Sequence, residues 1–343
     1  MSLPTAPLLA AVQSNCHLSD ARHAQELTLC NYLLAMREYY RWEHDLPLAA
    51  VPPRGDVGRW IAEREALWES LQDADWAGVP LAAGEADPFD VGAVNAELVP
   101  AGLLYGAGRG RFGKPHFFLA RLARRERREG VEILEAGCEY VRDIDAAPAV
   151  LQGETIVLRR EAFERWLWLR TEAWEAQAPD GDMAAALDAY GYGKERGRAL
   201  ARMAEAERET LILHELGELA AGRLLGGDWE RFMDGIDDRR VEIMARAVRD
   251  LLADTLVTLP SLLERDAVPS LHFWFATFAG MRRELFPRLA SAQAAWNGGE
   301  GLEAMRGAID SGRAHWLRIA REMAADAQAA ARFAREPGAI CLA

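Results

Sequence analysis

The sequence predicts a mainly α protein, with a C-terminal helical bundle and an N-terminal α+β region that holds a small sheet. Three observations carry this. Half of the residues are hydrophobic and 27% are charged, with alanine and leucine abundant, a balance that suits a helix-rich core. Long stretches after residue 194 carry apolar residues at helical spacing, separated by short turn signals. Between residues 100 and 160 that spacing gives way to strand-like runs.

The first fifty residues read as helix, with Ser19 or Asp20 as cap for DARHAQELTLCNYLLAMREYYRWE and LPLAAVPP as its end. A second helix follows Asp56 through GRWIAEREALWESL. Residues 77–100, rich in Gly, Pro and acids, read as a connecting loop. LLYG, VEILEAGCEYV and ETIVLRR read as strands, with a glycine-rich loop and a short helix between them. EAFERWLWLRTEAWEA returns to helical spacing, with Phe163, Trp166, Leu167 and Trp174 suited to a core face. APDGDM and GYG punctuate the chain and place a boundary between regions 1–185 and 186–343. Helical patterns then cover about 194–225, 237–265, 270–294 and 300–335, which favours an up-and-down bundle.

Composition excludes several function classes. A net charge of −13 argues against general nucleic-acid binding, which draws its affinity from neutralised phosphates. No apolar run approaches the roughly 20 residues of a spanning helix, so no membrane role is expected. The start of the chain lacks a basic n-region, and Cys16, Cys30, Cys138 and Cys341 form no C-x-x-C pair. Reduced thiols in a cytoplasmic protein are therefore expected. Residues 109–128 carry eight Lys/Arg against Glu126, so this window is +7 and the remainder −20. Such a patch suits an acidic protein partner, a small anion or the protein's own acidic surface, while an ordinary solvated face is the plainer reading.

The motif with most chemical content is LILHELGELAAG at 211–222. His214 and Glu218, at i and i+4, share a helix face, and Glu207 extends that stripe by two turns. H-E-x-x-H would mark a zinc peptidase, but glutamate replaces the second imidazole here. One imidazole with two carboxylates supplies half of a non-haem site for iron, with manganese or zinc as alternatives. Asp20-Ala-Arg-His23 is the one carboxylate-x-x-His match, an i,i+3 pair of the kind that ferritin-like sites use. Asp20 and His23 are thus candidate further ligands, while a helix cap and a surface histidine are the plain alternatives. Asp250 and Asp254 form another i,i+4 pair, and Asp254, among leucines, reads as a buried partner of a basic residue. GRGRFGKP at 108–115 fits G-x4-G-K, but Pro115 stands where a phosphate loop needs Ser or Thr.

The Glu-x6-His step is similar in spacing to one in haem-oxygenase-like diiron oxidases. Those proteins also carry a late helix rich in His and Asp, whereas the late helices here offer His272, Asp310 and His315 without that local pattern. A broader resemblance rests on NCHLSDARHAQELTLCNYLLAMREYYRWE, KPHFFLARL, CEYVRD, IVLRREAFERWLW and HELGEL. Together these resemble an uncharacterised bacterial family of unknown function, over most of the chain. The resemblance implies one inherited architecture and no particular activity. The expected function is a metal-binding protein, an iron-dependent oxidase or oxygenase acting on a small-molecule substrate. The alternative is a non-enzymatic interaction protein that docks an acidic partner through 109–128.

Overall fold

A computed structural model describes residues 4–177 and 180–343. It divides into two compact units, Met1–Leu169 and Arg170–Ala343. The division falls within a helix, ahead of the punctuation at APDGDM.

In the first unit, α1 (Ala6–His23) starts at Thr5, whose hydroxyl accepts from the Leu8 amide. The expected single helix over 20–43 is in fact two. Asp20 lies in the last turns of α1 rather than at a cap, a short 3-10 turn covers Ala24–Glu26, and Thr28 caps α2 (Leu29–Glu43). The break has a physical reason. Asn15, Ser19 and Asp20 are buried on α1 and find partners in Ala77, Pro115 and Ile144, so α1 is fixed by its polar face. Leu27 and Leu34, which would continue a buried stripe, are 40% and 50% exposed instead.

Next come α3 (Arg54–Leu71), the hairpin β1 (Val79–Leu81) and β2 (Gly84–Ala86), and α4 (Val91–Leu98), which Asp90 caps. These replace the loop expected over 77–100. Strands of three residues are too short to show a period, and the Asp90 cap is their one legible signal. The main sheet comprises β3 (Leu103–Arg109), β4 (Pro115–Arg128), β5 (Val131–Arg142), β6 (Ala149–Gln152) and β7 (Thr155–Arg159). Its order is β3-β4-β5-β7-β6, with only β5 and β7 parallel. The small β component expected between 100 and 160 is present. KPHFFLARL, however, is strand rather than short helix. From Arg121 to Arg128 exposure alternates along β4 with period two, and Arg125 meets Glu132 of β5 at 2.6 Å.

Both sheet faces are covered. Tyr105, Phe117, Leu119 and Val141 pack with Leu8, Val12 and Cys16 of α1. Leu104, Phe118, Leu134 and Val157 form a second core on the other face. Gly106 makes that core possible, because a Cβ there would stand 2.0 Å from the Phe118 ring.

Helix α5 (Arg160–Glu175) crosses the division. The second unit then runs α6 (Gly181–Ala189), α7 (Arg196–Leu225), α8 (Gly227–Asp234) and α9 (Arg239–Ala253). A π turn over Asp254–Thr258 leads into α10 (Leu259–Glu264). After it come α11 (Val268–Thr277), α12 (Gly280–Leu285), α13 (Pro287–Asn297), α14 (Glu303–Ala325) and α15 (Ala327–Arg335). The pattern over 270–294 therefore yields three short helices, broken at Gly280 (φ +57°) and ahead of Pro287. Leu213, Val248, Leu251, Phe286, Trp316 and Ile319 lie at the centre of this bundle. Asp238 caps α9 by accepting from Arg240 N at 2.8 Å. Asp238→Ala should therefore lower the stability of the second unit by about 1 kcal/mol, measurable by denaturant unfolding.

Candidate metal centre

The site begins with helix α7, whose HELGEL segment crosses the end of α9 at very close range. A Cβ on Gly217 would lie 2.5 Å from the carbonyl oxygen of Ala253. Only glycine permits this approach, and it sets His214 and Glu218 against Asp250 and Asp254. Asp254 opens the π turn, and such single π turns recur at functional sites.

His214 Nδ1 lies 2.8 Å from Oδ1 of the fully buried Asp254. The other Asp254 oxygen accepts from Arg282 Nη1 at 3.1 Å. The imidazole is thereby fixed through Nδ1, and its Nε2 faces Glu218 Oε1 at 3.7 Å. His214, Glu218 and Asp250 each offer a ligand atom, and these atoms lie within 4.8 Å of one another. The His214 side chain keeps 25% of its surface exposed, so the group is reachable from solvent. Arg249 shares the space, 2.5 Å from Glu218 and 3.5 Å from Asp250.

Charge defines the resting state. Burial opposes the imidazolium of His214, but the Asp254 carboxylate outweighs it, with Glu218 and Asp250 adding, and its pKa rises to about 10. Burial likewise works against the Asp254 carboxylate, yet His214 and Arg282 hold its pKa below the ordinary value. Glu215, 6% exposed, is pushed up to about 8 by burial and then by the Glu218 charge. An acid whose folded pKa is raised keeps a proton that the unfolded chain releases, so stability falls as pH climbs from about 4.5 to 8. Glu215→Gln should flatten that fall and raise the melting temperature at pH 8 by several degrees, with little change at pH 4.5. Thermal melts of both proteins across that range check it.

The other predicted ligands lie elsewhere. Glu207 is buried two turns away on α7, where Tyr190, Thr210 and Ser270 donate to it at 2.6, 2.6 and 3.0 Å. Three hydroxyls occupy that carboxylate. In the first unit, Asp20 is buried and accepts from Lys114 Nζ at 3.1 Å and from the Ile144 amide. His23 lies 3.2 Å from Glu26. The G-x4-G-K glycines fall on the β3–β4 hairpin with no helix after them, so Lys114 serves Asp20 rather than a phosphate loop. In the basic segment, Arg124, Arg125 and Arg128 stand 3.6, 2.6 and 3.5 Å from Glu135, Glu132 and Glu126. Asp250, Asp254, Arg249 and Arg282 were not placed with His214 by sequence. The i,i+4 acid pair on an apolar helix was the available signal, and Asp254 does have its basic partner on another helix.

A family model for the N-terminal domain of a family of unknown function, DUF6866, matches residues 7–159. The model for the C-terminal domain of the same family matches residues 164–338. The chain belongs to the DUF6866 family. Its two family domains divide between residues 159 and 164, up to ten residues before the structural division after Leu169. Neither the comparison with curated proteins nor that with solved structures gives a match. Among the described residues, no helix is long and apolar enough to cross a membrane.

Proposed function

We propose that this DUF6866 chain binds one divalent first-row metal ion through His214 Nε2, Glu218 and Asp250. The observation that carries the reading is the fixed imidazole. Asp254 holds Nδ1 from a fully buried position, so Nε2 is the nitrogen left to face the other two donors. A carboxylate behind a histidine that faces a metal is the usual outer-shell arrangement, and it orients the ring and raises its basicity. Arg249 would move aside from Glu218, and the ion would replace its charge and the His214 proton. One imidazole with two carboxylates suits iron(II), manganese(II) or zinc(II). With iron bound, such a centre supplies redox chemistry, and our reading extends to an oxidase or oxygenase acting on a small molecule.

The test is reconstitution of metal-free, untagged protein with each ion in turn, followed by dialysis and elemental analysis. One ion per chain is expected. Clearly less than one for all three metals would defeat the proposal. Oxygen consumption by the iron-loaded chain over a panel of small organic substrates tests the extension.

A further inference from the structure

A second candidate site lies in the first unit. The five-stranded sheet curls, and its edge strands β3 and β6 do not pair with each other. They are tied by the Gln152 side chain, which donates to the Ala107 carbonyl at 2.9 Å. Along this seam, beside α4, opens a cleft of about 740 Å3. That volume is within the roughly 300–1,000 Å3 of small-molecule sites, and the mouth of a curled sheet is a common place for one.

The walls mix apolar side chains with a polar rim. Leu134 and Val157, which belong to the inner sheet core, reach the cleft together with Val99 and Val150. The polar groups at the rim are unequal. Asp90 is occupied by capping α4 at Ala93 N, 2.9 Å away, and Glu132 by Arg125 at 2.6 Å. Arg109 is exposed and has no carboxylate partner among the described residues. Its guanidinium lies over the Phe89 ring at 5.6 Å and reaches only the Gly113 carbonyl, at 3.4 Å. The Gln152 Oε1 atom is buried without a hydrogen-bond partner. Whichever way that amide is turned, one polar end stays unmet. His116 also lines the cleft, its pKa lowered by burial, so it is a neutral hydrogen-bonding group there.

An apolar patch of Leu134, Val150 and Val157, with a guanidinium at the mouth that has no carboxylate partner among the described residues, fits a planar acceptor on an apolar body. We infer that this cleft binds a monocarboxylate with an apolar tail or ring, its carboxylate on Arg109 and its body against Leu134, Val150 and Val157. Arginine suits this task because its fork matches a carboxylate with two parallel hydrogen bonds.

The experiment is isothermal titration of the full chain with decanoate and with 1-naphthoate, with decanol as the uncharged comparison. At least one carboxylate should saturate a single site and bind more tightly than decanol. Arg109→Gln should weaken that carboxylate at least tenfold while leaving decanol unchanged, because only the head group loses its partner. Thr155→Trp, which fills the cleft, should remove binding of both. Failure of both carboxylates to saturate below millimolar concentration would overturn the assignment. So would a saturating carboxylate that binds no more tightly than decanol, or an Arg109→Gln protein that binds as the wild type does. If Thr155→Trp fails to fold, Arg109 still decides, since its side chain is at the surface.

Discussion

His214→Ala should remove the metal from the second unit and leave its helices in place. The side chain lies at the surface of the cluster, 25% exposed, and alanine is a strong helix former. Asp254 keeps Arg282 at 3.1 Å, so the substitution does not strand a buried carboxylate. Loss of the imidazole should lower metal affinity at least a hundredfold, about 2.7 kcal/mol. Asp254→Asn should cost less, about 10–100-fold, because it disturbs the ring's orientation and basicity rather than removing a ligand. Elemental analysis after dialysis, with circular dichroism as the control for folding, reads both. A His214→Ala protein that still holds one ion per chain would exclude this residue as a ligand.

The same residue sets the pH dependence. With a folded pKa near 10, the imidazolium–Asp254 pair stabilises the metal-free protein fully below about pH 6.5, and that contribution is lost as pH rises through about 10. Metal binding must displace that proton, so it runs in the opposite sense. Apparent affinity should rise about tenfold for each pH unit between 6 and 8. A flat profile would mean that His214 releases no proton.

The long elements were legible in the sequence because they are periodic. Helix α7 and the strands from VEILEAGCEYV and ETIVLRR follow the expected pattern closely. Basic residues at KPHFFLARLARRERR hid a strand, since the charges of Arg124 and Arg125 are matched across the β4–β5 ladder by Glu135 and Glu132. His214 and Glu218 were legible as a pair because i,i+4 is a property of one helix. Asp250 and Asp254 were legible as a second pair, but what joins the two pairs is a helix crossing. Glu207 shares the stripe of His214, yet the hydroxyls of Thr210 on that same helix and of Tyr190 and Ser270 outside it claim it. Spacing on a single helix shows which groups can meet and leaves open which neighbour reaches them first.

The crossing itself rests on Gly217, and the glycines of α7 give a direct test. At Gly217 an added Cβ would stand 2.5 Å from the Ala253 oxygen and 2.9 Å from its carbonyl carbon. Those are backbone atoms of α9, so no side-chain rotation relieves the clash and the two helices must separate. Gly217→Ala should therefore destabilise the second unit by about 1–3 kcal/mol, even though alanine gains roughly 1 kcal/mol in helix propensity. Gly222, one and a half turns along the same helix, has nothing within 4 Å of its Cβ position. Gly222→Ala should gain the propensity alone and raise stability by up to about 1 kcal/mol. Metal affinity should follow the same division. Separation at Gly217 moves His214 and Glu218 away from Asp250 and Asp254, whereas Gly222→Ala leaves all four in place. Equal stabilisation by the two substitutions would show that α7 and α9 do not cross this closely, and the four-residue cluster would then lose the contact that assembles it.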